Sequence, residues 1–324
     1  MSQTEPLVSI VTPVYNGAAF IRDCIDSVLA QKYQNWDYLI QDNCSTDGTA
    51  EILEEYRDVD PRIRIVRNPE LVPANTNWNL AFSKISADSH YAQMLHADDY
   101  LHPDCLAKKV ALAEQYPSMG IIGSLTEADG DIWGDGLDPS TQFINGSDLT
   151  VAVLSGRSYP FLAPVALLIR SDAVRSRKPF YDDDIHADIS ALYEVLKQWD
   201  FGMVHEVLTY VRLHDDNISA QEAAPLNRFL ITNMDLLLKY GPSVMSDETY
   251  TDVLNGRLRG YYQFLARCKL EGRDDAFWDY HQGAMDDFGM PINSGALSKA
   301  VLKEFVSRPL SALGLLKRRF SATA

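Results

Sequence analysis

The chain has 324 residues, of which 46% are hydrophobic and 23% charged, and its formal net charge is −16. Such a composition is typical of a globular protein with one main domain and a smaller appendage. An acidic surface repels polyphosphate, which argues against nucleic acid as the main partner. No apolar run reaches the ~18 residues that a membrane span needs.

Two further features concern the compartment. The four cysteines form no C-x-x-C pair, which predicts reduced, mostly buried thiols. Residues 1–6 lack a basic segment followed by an apolar one, so we expect no signal peptide. We therefore expect a cytoplasmic protein.

Apolar runs alternate with segments of helical spacing over residues 1–124. The first run ends at Pro13, which predicts a strand that stops before this residue. The alternation predicts an α/β fold, a parallel sheet with helices on both faces. The predicted strands are 7–11, 36–40, 63–66, 91–95 and 120–123, and the predicted helices include 20–29, 75–85 and a helix opening at 102–104.

Polar clusters follow three of these strands, at 12–16, 42–43 and 98–99. Ligands of parallel sheets bind outside the carboxyl ends of the strands, so we expect the three clusters on one edge. Asp98 and Asp99 offer the hard oxygen ligands that suit Mg²⁺ or Mn²⁺. The alternative for this pair is that it caps the next helix.

The later chain is less regular. Residues 126–147 are rich in glycine and aspartate, which predicts a mobile loop. A strand at 165–169, an acidic loop at 182–184 and a helix from Asp188 follow. Another strand ends at Arg212, and helices follow from 225, so we place a domain boundary near residue 220.

Several segments closely resemble the family 2 glycosyltransferases of the A-type (GT-A) fold, over about 8–219. The resemblance implies a Rossmann-like GT-A domain over 1–220, with a nucleotide-binding part at 1–124 and an acceptor part at 125–220. A helical C-terminal region follows at 221–324. The matching segments are 8–17 (VSIVTPVYNG), 27–31 (SVLAQ), Trp36, 42–49 (DNCSTDGT), 77–79 (NWN) and 95–99 (LHADD).

The family resemblance implies an inverting transfer of a sugar, from a nucleotide-diphosphate donor that we expect to be UDP-linked, to a hydroxyl of a glycan or lipid-linked acceptor. It implies a Mn²⁺ or Mg²⁺ cofactor. Asp42 would read the nucleotide base, and Asp98 and Asp99 would contact ribose and metal. The remaining implied roles are nucleotide binding for Thr12, Pro13, Tyr15 and Asn77, metal or diphosphate binding for His214, and an electrostatic role for Arg212.

Asp188 aligns with the aspartate that acts as the general base on the acceptor hydroxyl. Its alternative role is a negative charge at a helix N-terminus, and the acidic run 182–184 offers competing bases. Two positions depart from the family pattern. His96 replaces the first aspartate of the D-x-D segment, and Ala187 replaces the glutamate beside the base.

Two other functions compete with this interpretation. A sugar nucleotidyltransferase would need a glycine-rich basic loop after the first strand, whereas no Lys or Arg occurs before Arg22. A catalytically degenerate transferase that serves as a sugar-binding or scaffold protein is favoured by His96 and Ala187. The retained acidic residues weigh against it.

The segment 299–324 carries six basic residues against one acid. Beside them lie leucines and a phenylalanine, which is typical of a helix that binds an anionic membrane surface. The alternative is a helix packed on the acidic domain or on another subunit of a homo-oligomer.

Overall fold

The computed structural model describes residues 5–134, 136–158, 160, 163–183, 186–214 and 225–307. The chain divides into two compact units, Met1–His214 and Asp215–Ala324. This division lies close to the boundary expected near residue 220. Asp184 and most of the basic segment 299–324 lie outside the described residues.

The first unit is built on a mixed sheet whose strand order along its main path is β3-β2-β1-β4-β9-β6-β10-β5, with β7 paired to β6 and β8 to β10. Its strands are β1 (Val8–Val14), β2 (Trp36–Asp42), β3 (Ile63–Arg67), β4 (Tyr91–Met94), β5 (Tyr100–Leu101), β6 (Met119–Ala128), β7 (Asp131–Trp133), β8 (Phe143–Ile144), β9 (Leu167–Arg170) and β10 (Asp200–Val211).

Helices cover the sheet and form the second unit. The helices of the first unit are α1 (Ile21–Leu29), α2 (Thr49–Tyr56), α3 (Ala74–Phe82), α4 (Cys105–Gln115), α5 (Gly146–Leu154), α6 (Ser171–Arg175) and α7 (Ala187–Leu196). Those of the second unit are α8 (Arg228–Val244), α9 (Asp247–Glu271), α10 (Asp275–Asp287) and α11 (Ser294–Ser307). None of the described helices combines the length and the apolar character that a membrane span requires.

Strand β1 runs through Pro13 to Val14, so the expectation that Pro13 ends it is wrong. All seven residues of β1 are buried. The carbonyl of Val14 accepts from Asn43 on the β2 side, and the carbonyl of Val11 accepts from Leu95 on the β4 side. Pro13 therefore faces the β4 side, where the pairing ends at Val11. Its missing N–H costs no ladder bond there.

The sequence predicts a parallel sheet, but the sheet is not parallel throughout. Strands β1 to β4 are mutually parallel, and β10 is parallel to β6. Strand β9 lies between β4 and β6 and is antiparallel to both. It reaches the sheet late in the chain, so the strand–helix alternation of the first 124 residues could not reveal it.

The segment 126–147 is not wholly a loop. Strand β6 continues to Ala128 and turns back into β7 as a hairpin. Asp129 and Gly130 form the turn with φ values of 51° and 87°. Two consecutive residues with positive φ match the twist of paired strands, which is why Asp-Gly favours hairpins.

Candidate active site

The topology gathers four polar segments at one end of the sheet. Strands β1, β2 and β4 are parallel neighbours, so the residues after them share an edge. Strand β5 pairs antiparallel with β10, with Tyr100 opposite Tyr210. The segment 98–99, just before β5, therefore meets the segment 212–214, just after β10.

His96, Asp98 and Asp99 form a cluster in which one ligand atom from each lies within 4.8 Å of the others. Burial, reinforced by the negative charge of Asp98, raises the pKa of Asp99 well above its usual range. Burial lowers the pKa of His96, so its imidazole is neutral at pH 7. Its Nε2 is buried and forms no hydrogen bond with the described residues. Its Nδ1 lies 3.9 Å from Asp99 Oδ2. A divalent cation accepts a neutral imidazole nitrogen together with two carboxylates, so the cluster fits one.

Arg212 and His214 close on this cluster from β10. The backbone N–H of Arg212 donates to Asp99 Oδ1 at 3.2 Å, and its guanidinium pairs with Asp23 Oδ2 at 2.6 Å. His214 Nε2 lies 3.1 Å from Asp98 Oδ2. The His214 ring stacks on Phe20 with the centroids 5.0 Å apart. The predicted metal ligands Asp98, Asp99 and His214 are thus brought together.

Asp42 lies at the end of β2 and is 1% exposed. Its Oδ1 accepts from the backbone N–H of Ser45 at 3.0 Å, and its Oδ2 lies 2.9 Å from Arg67 Nη1. Arg67 ends β3 directly beside Asp42 in the parallel register. One arginine and one backbone donor therefore fix the carboxylate at the mouth of the site.

The predicted nucleotide-binding segment at the end of β1 divides into two parts. Thr12 is fully buried and its hydroxyl bonds to Tyr38 Oη at 2.8 Å. Its side chain therefore faces the core, and its backbone lies within the β1–β2 ladder opposite Ile40. Pro13 is buried within the strand, whereas Tyr15 is 51% exposed. The Tyr15 ring is the part of this segment that is accessible for stacking on a base.

Asn77, on α3, belongs to a buried amide network behind Asp42. Its Oδ1 accepts from Asn68 Nδ2 at 2.9 Å, and its Nδ2 donates to the carbonyl of Gln41 at 3.3 Å. Asn68 Nδ2 also donates to Asn43 Oδ1 at 2.8 Å. These bonds place Asn77 against the strand ends rather than in the open site.

Asp188 lies in the first turn of α7 and shares a small cavity of about 10 Å³ with Tyr181. The Tyr181 ring meets the edge of Trp78 at 5.5 Å, and Trp78 packs on His96 at 5.0 Å. One continuous aromatic wall therefore runs from the side of the cavity that holds Asp188 to the His96–Asp98–Asp99 cluster.

The competing bases of the acidic loop are less suited to the role. The Asp182 carboxylate forms an ion pair with the Arg177 guanidinium, which makes it a weaker base. Asp183 is exposed to solvent, and Asp184 lies outside the described residues. Of the acidic groups described in this region, Asp188 is the one that lines the cavity.

Sequence comparison identifies the family to which these features belong. The profile described as "Glycosyl transferase family 2" matches residues 9–176, just over half of the chain. The chain belongs to glycosyl transferase family 2. The match spans β1 to α6 and so contains His96, Asp98 and Asp99. Asp188 and the 212–214 segment follow it.

Individual family relatives match over shorter stretches. A Bacillus subtilis (strain 168) protein named for teichuronic acid biosynthesis, the glycosyltransferase TuaG, is 39% identical over 110 residues, which are 34% of this chain and 43% of TuaG. The chondroitin synthase of Pasteurella multocida (strain Pm70) is 36% identical over 102 residues, 31% of this chain and 10% of the synthase. The chain thus matches less than half the length of these relatives.

Solved structures share the family fold. The Staphylococcus aureus protein TarS (residues 1–349, in complex with UDP-GlcNAc) superposes with a TM-score of 0.66 at 14% identity, covering 95% of this chain and 87% of that part of TarS. The mannosyltransferase PcManGT from Pyrobaculum calidifontis, in complex with GDP-Man and Mn²⁺, gives a TM-score of 0.58 at 15% identity, covering 98% and 81%. The fold is therefore the GT-A fold expected from sequence.

Arg67 is a residue of the candidate site that the sequence motifs do not indicate. The signal was present, since β2 and β3 are both predicted and a parallel register places a residue after Val66 beside Asp42. From sequence, His96 is recognised only as the residue that replaces the first aspartate of the D-x-D segment. Its neighbour in space, Trp78, lies on another element, so the cluster becomes visible only in the fold.

Proposed function

We propose that this chain is an inverting glycosyltransferase that moves a sugar from a UDP-linked donor to a hydroxyl group of a glycan or lipid-linked acceptor. The observation that carries the proposal is the convergence of His96, Asp98, Asp99 and His214 at the sheet edge, joined by the aromatic wall to the cavity of Asp188. The family membership and the UDP-GlcNAc complex of TarS support it.

The nucleotide would bind across the ends of β1 and β2. Asp42 offers a carboxylate to a base N–H, with Arg67 holding it in place. Tyr15 offers an exposed ring for stacking. Asp98, on the same edge, would contact ribose or metal. Uracil and guanine both carry a ring N–H that can face a carboxylate, whereas adenine and cytosine do not, so Asp42 suits a UDP or a GDP donor. The UDP-GlcNAc complex of the TarS structure supports the choice of UDP.

His96, Asp98, Asp99 and His214 would hold Mn²⁺ or Mg²⁺. When bound, the cation would neutralise the diphosphate as its negative charge grows. Arg212 is already paired with Asp23. We therefore infer that Arg212 acts mainly by holding Asp99 through its backbone N–H, with its charge as a secondary contribution.

Asp188 would accept the proton of the acceptor hydroxyl as its oxygen attacks the anomeric carbon. The bond to the diphosphate breaks on the opposite face, so the configuration inverts in one displacement and no side chain forms a covalent intermediate. The Asp188 residue is half-buried and lines a small cavity of about 10 Å³, so one side of it faces protein rather than bulk water.

The testing experiment begins with a thermal-shift panel of nucleotide sugars with Mn²⁺, because a ligand that binds only the folded state raises its apparent stability. The best donor then serves for turnover. We expect Asp188→Asn to lower donor hydrolysis by about 10²- to 10⁴-fold, because the general base is lost. Asp182→Asn, which alters a neighbouring carboxylate, should retain the wild-type rate.

Two outcomes would count against this assignment. Equal turnover of Asp188→Asn and the wild type would remove Asp188 as the base. Donor binding without turnover in the wild type would favour the sugar-binding or scaffold alternative, which is consistent with the replacements at His96 and Ala187.

A further inference from the structure

Helix α3 carries three asparagines at alternate positions, 75, 77 and 79. Positions 75 and 79 are four apart and share one helix face, whereas 77 points elsewhere. Asn77 bonds to the nucleotide side, through Asn68 and the carbonyl of Gln41. Asn75 and Asn79 bond to the acceptor side, so this one helix contacts both halves of the site.

The contact on the acceptor side is a two-bond clamp. Asn79 Nδ2 donates to the carbonyl of Tyr181 at 2.8 Å, and Asn79 Oδ1 accepts from the N–H of Tyr181 at 2.9 Å. Asn75 Nδ2 adds a bond to the carbonyl of Asp182 at 3.1 Å. The Asn79 amide thus pairs with both polar backbone groups of one residue, as a neighbouring strand would.

The ring of Tyr181 is held as firmly as its backbone. It is 3% exposed, stacks on Phe82 at 5.6 Å and meets the edge of Trp78 at 5.5 Å. Phe82 and Trp78 lie on α3, like Asn79. The helix therefore determines the position of Tyr181 through three of its own side chains.

Tyr181 in turn bounds the space beside Asp188. The two residues line one cavity of about 10 Å³ together with apolar residues of β9 and α7. A space of this size holds at most about one water molecule. A displacement of Tyr181 would change the shape of the cavity that it shares with Asp188.

We propose that Asn79 is a positioning residue for Asp188, because its amide fixes Tyr181, which shares the small cavity with Asp188. This inference rests on the proposed function, in which Asp188 is the general base. Burial keeps the Tyr181 hydroxyl protonated by raising its pKa, and the charge of Asp188 adds to that effect.

The experiment compares Asn79→Ala with the wild type for UDP binding in the presence of Mn²⁺ and for hydrolysis of UDP-GlcNAc, or of the donor chosen by the thermal-shift panel. We expect the turnover number to fall about 10- to 100-fold, the loss that a misplacement of about 1 Å produces. UDP affinity should stay within about twofold, because Asn79 does not contact the nucleotide side.

Two further variants separate positioning from folding. Asn79→Asp keeps an acceptor for the Tyr181 N–H but sets a carboxylate oxygen against the Tyr181 carbonyl, which repels it, so its loss should be at least as large as that of Asn79→Ala. Ser83→Ala removes a bond from the Ser83 hydroxyl to the carbonyl of Leu80 at the end of the same helix. It does not reach Tyr181, and its turnover should equal that of the wild type.

The outcomes are distinct. A wild type that hydrolyses the donor while Asn79→Ala does so at an equal rate overturns the inference alone. The inference also fails if Asn79→Ala loses UDP affinity as much as turnover. A wild type that turns over no donor removes the proposed function and this inference with it.

Discussion

His281 is a buried histidine in the core of the second unit. Its Nδ1 accepts from the Tyr261 hydroxyl at 2.7 Å and its Nε2 donates to the carbonyl of Leu226 at 2.9 Å. Burial lowers the pKa of His281 to about 4, below the ~6.5 of an unfolded histidine. The folded protein therefore keeps the neutral imidazole over a pH range in which the unfolded chain binds a proton.

The sign of the pH dependence follows from this difference. As pH falls from 6.5 toward 4, protons bind the unfolded state first and stability is lost. We expect a loss of about 2 kcal/mol from this residue between pH 7.5 and 5, measured by urea unfolding followed by circular dichroism. His281→Gln should flatten the profile, whereas His90→Gln, at an exposed position, should keep it. An unchanged slope in His281→Gln would contradict the assignment.

Single residues also show what sequence can predict about the site. The sequence predicts Asp42, Asp98 and Asp99 at one edge because parallel strands share their carboxyl ends, and they lie there. It also predicts that Thr12 embraces the ligand, yet the Thr12 hydroxyl faces Tyr38. The direction of a side chain at a strand end depends on the pleat, and β1 extends further than the proline at position 13 suggests.

At the scale of elements, α5 packs unusually close to the end of α7. A Cβ added at Gly146 would collide with the carbonyl oxygens of Trp199 and Leu196. The N–H of Gly146 also donates to Asp200 Oδ1 at 3.0 Å. Because α7 begins with the residues around Asp188, this contact sets the far end of the helix that carries the proposed base.

We expect Gly146→Ala to lower the free energy of unfolding by about 1–3 kcal/mol, because rigid backbone must move. Urea unfolding would measure it. Gly260→Ala offers a control of opposite sign. Gly260 lies inside α9 with open space around it, so alanine should stabilise by about 0.5–1 kcal/mol. A neutral Gly146→Ala would show that α5 can shift freely.

The elements differ in how well sequence predicts them. Strands β1 to β4 and helices α1, α3 and α4 correspond to predicted elements, because each is local and strongly patterned. The 129–130 hairpin lies in a stretch that predicts a loop, since abundant glycine conceals strands of two or three residues. The antiparallel β9 depends on contacts between distant parts of the chain, which periodicity does not contain.

At the scale of the whole molecule, charge is unevenly distributed. The chain carries −16 overall, whereas 308–324 contains four basic residues and no acid. Its removal leaves −20, since −16 − 4 = −20. Basic residues beside leucines favour binding to an anionic lipid surface, at about 1 kcal/mol per basic residue.

We expect deletion of 308–324 to reduce co-sedimentation with vesicles that contain phosphatidylglycerol, most clearly at low salt. Pure phosphatidylcholine vesicles serve as the control and should bind neither form. If the deletion leaves vesicle binding unchanged, the prediction that this segment binds a membrane is wrong. If the deletion instead changes the oligomeric state of the protein in the absence of vesicles, measured by sedimentation velocity, the segment contacts another subunit.

The place of β9 in the sheet bears on how the protein is made. Strands β1 to β4 can pair once residue 94 has left the ribosome, but the free edge of β4 stays open until 167–170 are synthesised. An open edge is a template for pairing with another chain. The nascent N-terminal half is therefore at its most aggregation-prone for roughly seventy codons, and a protein truncated before β9 keeps that edge permanently.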